Sequence, residues 1–302
     1  MSFPQPVIIL ASPRSFTSLV CAMLGQHPEA YGVPEINLFV KETLQELVDV
    51  SQGARQFILH GLLRTIAQLY SGEQTIESVA MARRWIGQRL DYNTADIYWD
   101  LCNKVAPLRI IDKSPAYPKQ ITTLQRINKT FPDAYYLYIT RHPREQGKSM
   151  MKAPQAVAEL AVADSLDYSV YPPVIDPQYD WYRSQSRILD FLNTIPAHQQ
   201  MFIRGEEIIS NPEAYLDKIC HWLGLSWNES AYQAMLRTEQ SPYACMGPYG
   251  TEWGNNPGFQ KSPVFRPSTS KISKLAGPLP WSKDKKGFLP EVLYLARELG
   301  YE

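Results

Sequence analysis

The chain has 302 residues, enough for a large buried core in one α/β domain or at most two, and its 30 basic residues balance 30 acidic ones. That balance argues against nucleic acid or an anionic membrane as the main partner, and no apolar stretch approaches the roughly 20 residues that span a bilayer. The N-terminus lacks the basic region of a signal peptide, and the four cysteines (Cys21, Cys102, Cys220 and Cys245) form no C-x-x-C pair, so free thiols in a reducing cytoplasm are expected.

The first element is the apolar run Val7–Leu10, a short buried strand. A polar turn follows, Ser12, Pro13, Arg14, Ser15, Phe16, Thr17 and Ser18, and then Leu19, Val20, Met23 and Leu24 recur at helical spacing. Strand, tight turn and helix make a phosphate cradle, in which loop amides and a helix N-terminus face an anion. The Gly-Lys-[Ser/Thr] that manages a nucleoside triphosphate and its magnesium is missing. The cation here is an arginine, and hydroxyls cluster around it. A second short strand precedes Pro34 and Glu35, and residues 36–105 read as a helical insertion, with a helix running through Leu38 to Val48.

Residues 108–112 form the next strand and end in Asp112, Lys113 and Ser114; a helix covers residues 121–127. Residues 134–140 are rich in strong β formers, and Arg141 follows them, with Ser149 eight residues on in the next helix. Gln200–Arg204 is a further strand, and a helix opens near Asn211 and Pro212. Residues 153–180 and 240–282 are rich in Pro, Gly, Tyr and Ser and read as long loops covering the substrate edge. Within the first, the run from Ala156 to Ala163 is a buried amphipathic helix or a lid, the former favoured.

Strands alternating with helices imply a parallel sheet whose ligand sits at the carboxyl ends of the strands. Three strand ends bring Arg14, Lys113, Arg141 and several hydroxyls to one crevice, a set suited to a ligand with at least two phosphate groups. Taken alone, an Arg or Lys after a strand is more often a solvated surface charge, and for Lys113 the two readings are even. The histidines, His142 among them, show no metal-ligand spacing, and Glu206 and Glu207 read as supports for the adjoining loop.

The chain resembles the sulfotransferases that use 3′-phosphoadenosine-5′-phosphosulfate, PAPS. Their 5′-phosphosulfate loop, P-R-S-G-T-[ST]-L followed by M-L-x-x-H-P, is matched by Pro13, Arg14, Ser15, Phe16, Thr17, Ser18 and Leu19 and by Met23, Leu24, His27 and Pro28. Their 3′-phosphate motif is matched by Arg141 and Ser149, and Lys113 stands where the family has a lysine at a strand end. The resemblance covers residues 6–37, 109–151 and 200–225. It implies one three-layer α/β domain over residues 1–302, P-loop-like, with a central parallel sheet. It also implies PAPS as donor with adenosine 3′,5′-bisphosphate as product, and no required metal. Donor binding falls to Arg14, Ser15, Phe16, Thr17, Ser18, Arg141 and Ser149, and catalysis to Glu35, Arg14 and Lys113. Glu35 is assigned as base from a resemblance to tyrosylprotein sulfotransferases; a helix-start carboxylate is the plainer reading. Phe16 departs from the family's glycine, and must keep ordinary dihedrals or carry strain. The late loop is similar to that of bacterial stand-alone and polyketide-associated sulfotransferases, which implies a hydroxyl, or less readily an amine, on a small molecule or an acyl chain, carrier-bound or free. Two other readings remain open: a P-loop small-molecule kinase, and a nucleotide-binding docking module that has lost transfer.

Overall fold

The computed structural model describes residues 3–268, 273–282 and 284–302; residues 269–272 of the expected late loop lie outside the described residues. Five strands form one parallel sheet: β1 (Val7–Leu10), β2 (Ala30–Gly32), β3 (Arg109–Asp112), β4 (Tyr135–Thr140) and, last in the chain, the strand Gln200–Arg204. Their spatial order is β2, β3, β1, β4 and then Gln200–Arg204. The register is set by pairs such as Val7 with Ile111 on one side of β1 and Leu10 with Tyr138 on the other.

Because side chains alternate along a strand, neighbouring residues of β1 and β4 serve different faces. Ile8, Leu10, Tyr136 and Tyr138 pack with the helical insertion and with Trp181 and Ile188. Val7, Ile9, Leu137 and Ile139 pack with Val20, Met23 and Leu24 of the helix Thr17–Gly25 and with Leu216 and Ile219 of the helix Pro212–Leu223. Both faces are covered, which explains why the strands read as continuous apolar runs. The chain leaves β1 toward one side and returns later to β4 on the other, so the order reverses between β3, β1 and β4. The crevice at the carboxyl ends of these three strands is where a ligand binds in open α/β sheets.

The expected insertion is helical, with the helices Leu44–Val50, His60–Ser71, Ile76–Gly87 and Thr94–Val105. The helix expected through Leu38 to Val48 is broken: Leu38–Val40 is a single 3₁₀ turn, and a new helix starts at Leu44 behind a capping box of Thr43 and Glu46. Glu35 is therefore not at a helix start. Residues 153–180 are also more regular than expected. They contain the helix Pro154–Val162, a small hairpin of β5 (Leu166–Asp167) and β6 (Val174–Ile175), and the first turn of the helix Pro177–Leu192. In the run from Ala156, one helix edge is buried: Ala156 and Leu160 pack on Met150. The strand Gln200–Arg204 is designated β7. Among the described residues no helix is long and apolar enough to cross a membrane.

Candidate active site

The turn after β1 is tight. Arg14 and Phe16 both have positive φ, 67° and 65°. Phe16 thus adopts the left-handed backbone that a glycine would take freely, and carries the strain rather than avoiding it. It is the N-cap of the helix Thr17–Gly25, and no side chain caps that helix. Leu19 N donates to the Phe16 carbonyl, which leaves the amides of Thr17 and Ser18, reinforced by the helix dipole, as anion donors. The hydroxyl of Ser15 turns inward instead, 3.2 Å from Ser12 Oγ, and Gln185 holds Ser12 in turn; Ser15 is fully buried and does not line the cavity around the helix start.

Around this helix start lies an open cavity of about 370 Å³ lined by Arg14, Phe16, Thr17, Ser18, Arg141 and Ser149, and by Asn256, Gly258 and Arg266 of the late loop. The guanidinium of Arg14 donates to Ser149 Oγ at 3.0 Å and to Asn256 Oδ1 at 2.7 Å. Arg141 donates from Nη1 to the Arg14 carbonyl at 2.8 Å, and its guanidinium lies 4.4 Å from the centre of the Phe16 ring. Its Nε is buried without a partner, and burial lowers the affinity of both arginines for their protons. Neither is paired with a carboxylate within ion-pair distance among the described residues. An uncapped helix start, two uncompensated cations and an orphaned guanidinium nitrogen fit a ligand with more than one phosphate.

Lys113 and Glu35 form a separate group. Lys113 does not line the cavity; its buried ammonium donates to Glu35 Oε1 at 2.6 Å and to Asn255 Oδ1 at 3.0 Å. Three contacts bring Glu35 there. Val33 N donates to the Ile111 carbonyl, continuing the β2–β3 pairing; Asn37 N donates to Ser114 Oγ; and Glu35 N donates to the Gly254 carbonyl at 2.7 Å. The helix His60–Ser71 packs so closely that a Cβ on Gly61 would overlap the Glu35 carbonyl. Beneath them the Asp112 carboxylate accepts from Ser114 and Tyr117, and burial pushes its pKa up to about 7.

The two groups are joined by two consecutive residues of the late loop. Asn255 holds Lys113, and Asn256 holds Arg14 while capping the short helix Pro257–Lys261 through Gly258 N and Phe259 N. Sequence reasoning missed this pair; the Asn-Pro step at 256–257 signals a turn, but nothing local says which side chains it meets. It also missed Arg144, whose guanidinium donates to the carbonyls of Lys274, Leu275, Ala276, Gly277 and Pro278. His142 is a helix cap: Nδ1 accepts from Arg144 N, and burial lowers its pKa to about 4. Glu206 accepts from His142 N at 2.8 Å, supporting the turn after β4, whereas Glu207 pairs with Arg204. Among the described residues, no group of three His, Cys, Asp or Glu side chains is placed to hold a metal ion.

The family profile described as "Sulfotransferase family" matches residues 6–229. Among solved structures, the chain is similar to the sulfotransferase domain from the curacin biosynthetic pathway, with 23% identity and a TM-score of 0.79 over 99% of this chain and 98% of that one. It is similar also to the sulfotransferase domain from the Synechococcus PCC 7002 olefin synthase, with 24% identity and a TM-score of 0.70 over 100% and 97%. Among curated proteins, none matches the chain in sequence.

Proposed function

Because the chain belongs to the sulfotransferase family, we propose that it moves a sulfuryl group from PAPS to a hydroxyl of a small-molecule or acyl acceptor. The observation that carries the reading is the convergence of Arg14, Arg141, Ser149 and an uncapped helix start on one cavity, with the Lys113–Glu35 pair joined to it through Asn255 and Asn256.

In this reading the helix amides, Thr17, Ser18 and Arg14 hold the 5′-phosphosulfate, and Arg141 with Ser149 holds the 3′-phosphate. Glu35 Oε2 makes no hydrogen bond with the described residues, and the Glu35 side chain is 27% exposed, so this oxygen is free to take the acceptor proton. The acceptor oxygen then forms a bond to sulfur as the bridging S–O bond breaks; the proton goes to Glu35, and the bond pair leaves with adenosine 3′,5′-bisphosphate. The buried ammonium of Lys113 donates to Glu35 and Asn255, so it holds the base in place and supplies a fixed positive charge beside it. Fixed donors of this kind stabilise charge where it develops. The settings of the two similar domains, a curacin pathway and an olefin synthase, support an acyl acceptor, carrier-bound or free.

Thermal unfolding tests the donor assignment. Adenosine 3′,5′-bisphosphate at roughly 100 dissociation constants should stabilise the fold by about 2.7 kcal/mol, and ATP with magnesium by much less. Equal protection by the two ligands counts against the reading.

A further inference from the structure

We infer that Phe16 is a positioning residue for donor specificity: its ring is the platform that fixes the Arg141 guanidinium for the 3′-phosphate. The inference rests on the donor reading above.

The backbone supplies the first argument. At a φ of 65° a side chain with a Cβ is strained, and glycine would remove that strain. The fold accommodates the ring in that position at a second site. Gly205, the first residue of the helix Gly205–Ser210, lies so close that a Cβ there would stand 2.6 Å from Phe16 Cδ2. The missing side chain at 205 is thus the complement of the extra one at 16.

The second argument is what the ring touches. The guanidinium carbon of Arg141 sits over the ring, 4.4 Å from its centroid, while Nη1 is tied to the Arg14 carbonyl. The guanidinium is thereby held by two separate contacts, the ring under its carbon and the carbonyl at Nη1. The backbone behind it is anchored too, since Trp181 Nε1 donates to the Arg141 carbonyl at 3.1 Å. An arginine can also be oriented by a carboxylate, but a carboxylate cancels the charge and competes with the incoming phosphate. An aromatic face orients the cation and leaves its charge available.

The test uses the full chain and reads binding, not turnover. Calorimetry would give the dissociation constants of adenosine 3′,5′-bisphosphate and adenosine 5′-monophosphate for the parent, Phe16→Leu and Phe16→Tyr, with the unfolding midpoint of each protein alone. The parent should prefer the bisphosphate. Phe16→Leu, which keeps bulk but lacks the π-face, should reduce that preference roughly fivefold or more, the size of a lost partly desolvated cation–π contact. Phe16→Tyr, which keeps the face, should retain it. A parental preference ratio in Phe16→Leu, or its loss in Phe16→Tyr with an unchanged midpoint, overturns the inference while leaving the donor reading standing. A parent that does not distinguish the two nucleotides overturns both.

Discussion

Lys113 Nζ and Glu35 Oε1 lie 2.6 Å apart, with the lysine side chain 2% exposed and the glutamate 27%. The two ends of this ion pair therefore face different surroundings. The ammonium is buried, with Asn255 of the late loop as its second partner, and the carboxylate is partly open to solvent. A buried ammonium depends on its partners, so the pair holds Glu35 in one orientation as well as charging the site.

Glu35→Gln keeps the shape and the acceptor for Lys113 but removes the proton acceptor. Transfer to an alcohol should fall by roughly 10²–10⁴, the usual cost of losing a general base. Binding of adenosine 3′,5′-bisphosphate should be nearly unchanged, because Glu35 does not line the cavity of Arg14 and Arg141. A nitrophenol acceptor, already largely deprotonated, should lose less. Parental turnover of an alcohol by this variant would remove Glu35 from the base role.

Asn256→Asp separates positioning from charge. The carboxylate can still accept from Arg14, Gly258 N and Phe259 N, and aspartate caps helices as well as asparagine does. The protein alone should be as stable as the parent or more so. The nucleotide should bind at least about tenfold more weakly, since a like charge now stands a few ångströms from its phosphate. Unchanged affinity, measured by calorimetry, would mean that Arg14 does not meet the phosphate on its Asn256 side.

The sheet and its site edge were legible because they rest on local signals. Val7–Leu10, residues 134–140 and Gln200–Arg204 are largely apolar runs bounded by turns; Lys113 and Arg141 each follow a strand directly, and Arg14 lies in the turn four residues after another. What was not legible depends on long-range meetings. The helix Pro177–Leu192 was hidden at the end of a Pro- and Tyr-rich stretch, although Asp176 caps it and Trp181, Ser184, Gln185, Ile188 and Phe191 share its buried side. Asn255 and Asn256 act on residues more than a hundred positions away, and Gly205 has meaning only beside Phe16. Arg144 gathers carbonyls from residues 274–278 that no local pattern connects to it.

Buried neutral histidines give the fold an acid sensitivity. The pKa of His142 is lowered from 6.5 to about 4, chiefly by burial, with Glu145 and Arg144 as its charged neighbours. The unfolded chain therefore binds the extra proton first, and stability is lost as pH falls from about 6.5 toward about 4. His60, lowered to about 4 for the same main reason, acts in the same direction. Asp112, raised to about 7, acts in the opposite one: its contribution is lost as pH rises from 3.8 toward about 7. His142→Asn retains a capping acceptor without the titration. Its unfolding midpoint should drop less than the parent's between about pH 7 and about pH 4.5, and equal drops would show that His142 does not titrate in this way.

The most direct test of sulfuryl transfer is incubation of the protein with PAPS labelled on sulfur and a panel of acceptors that includes a β-hydroxyacyl thioester, simple alcohols and an acidic phenol. The account predicts label bound covalently to a hydroxyl acceptor, one adenosine 3′,5′-bisphosphate released per label transferred, and loss of that transfer in Arg141→Ala. Tight nucleotide binding with no label on any acceptor would contradict it and favour a docking module, and phosphoryl transfer from ATP to the same acceptors would contradict it in favour of a kinase.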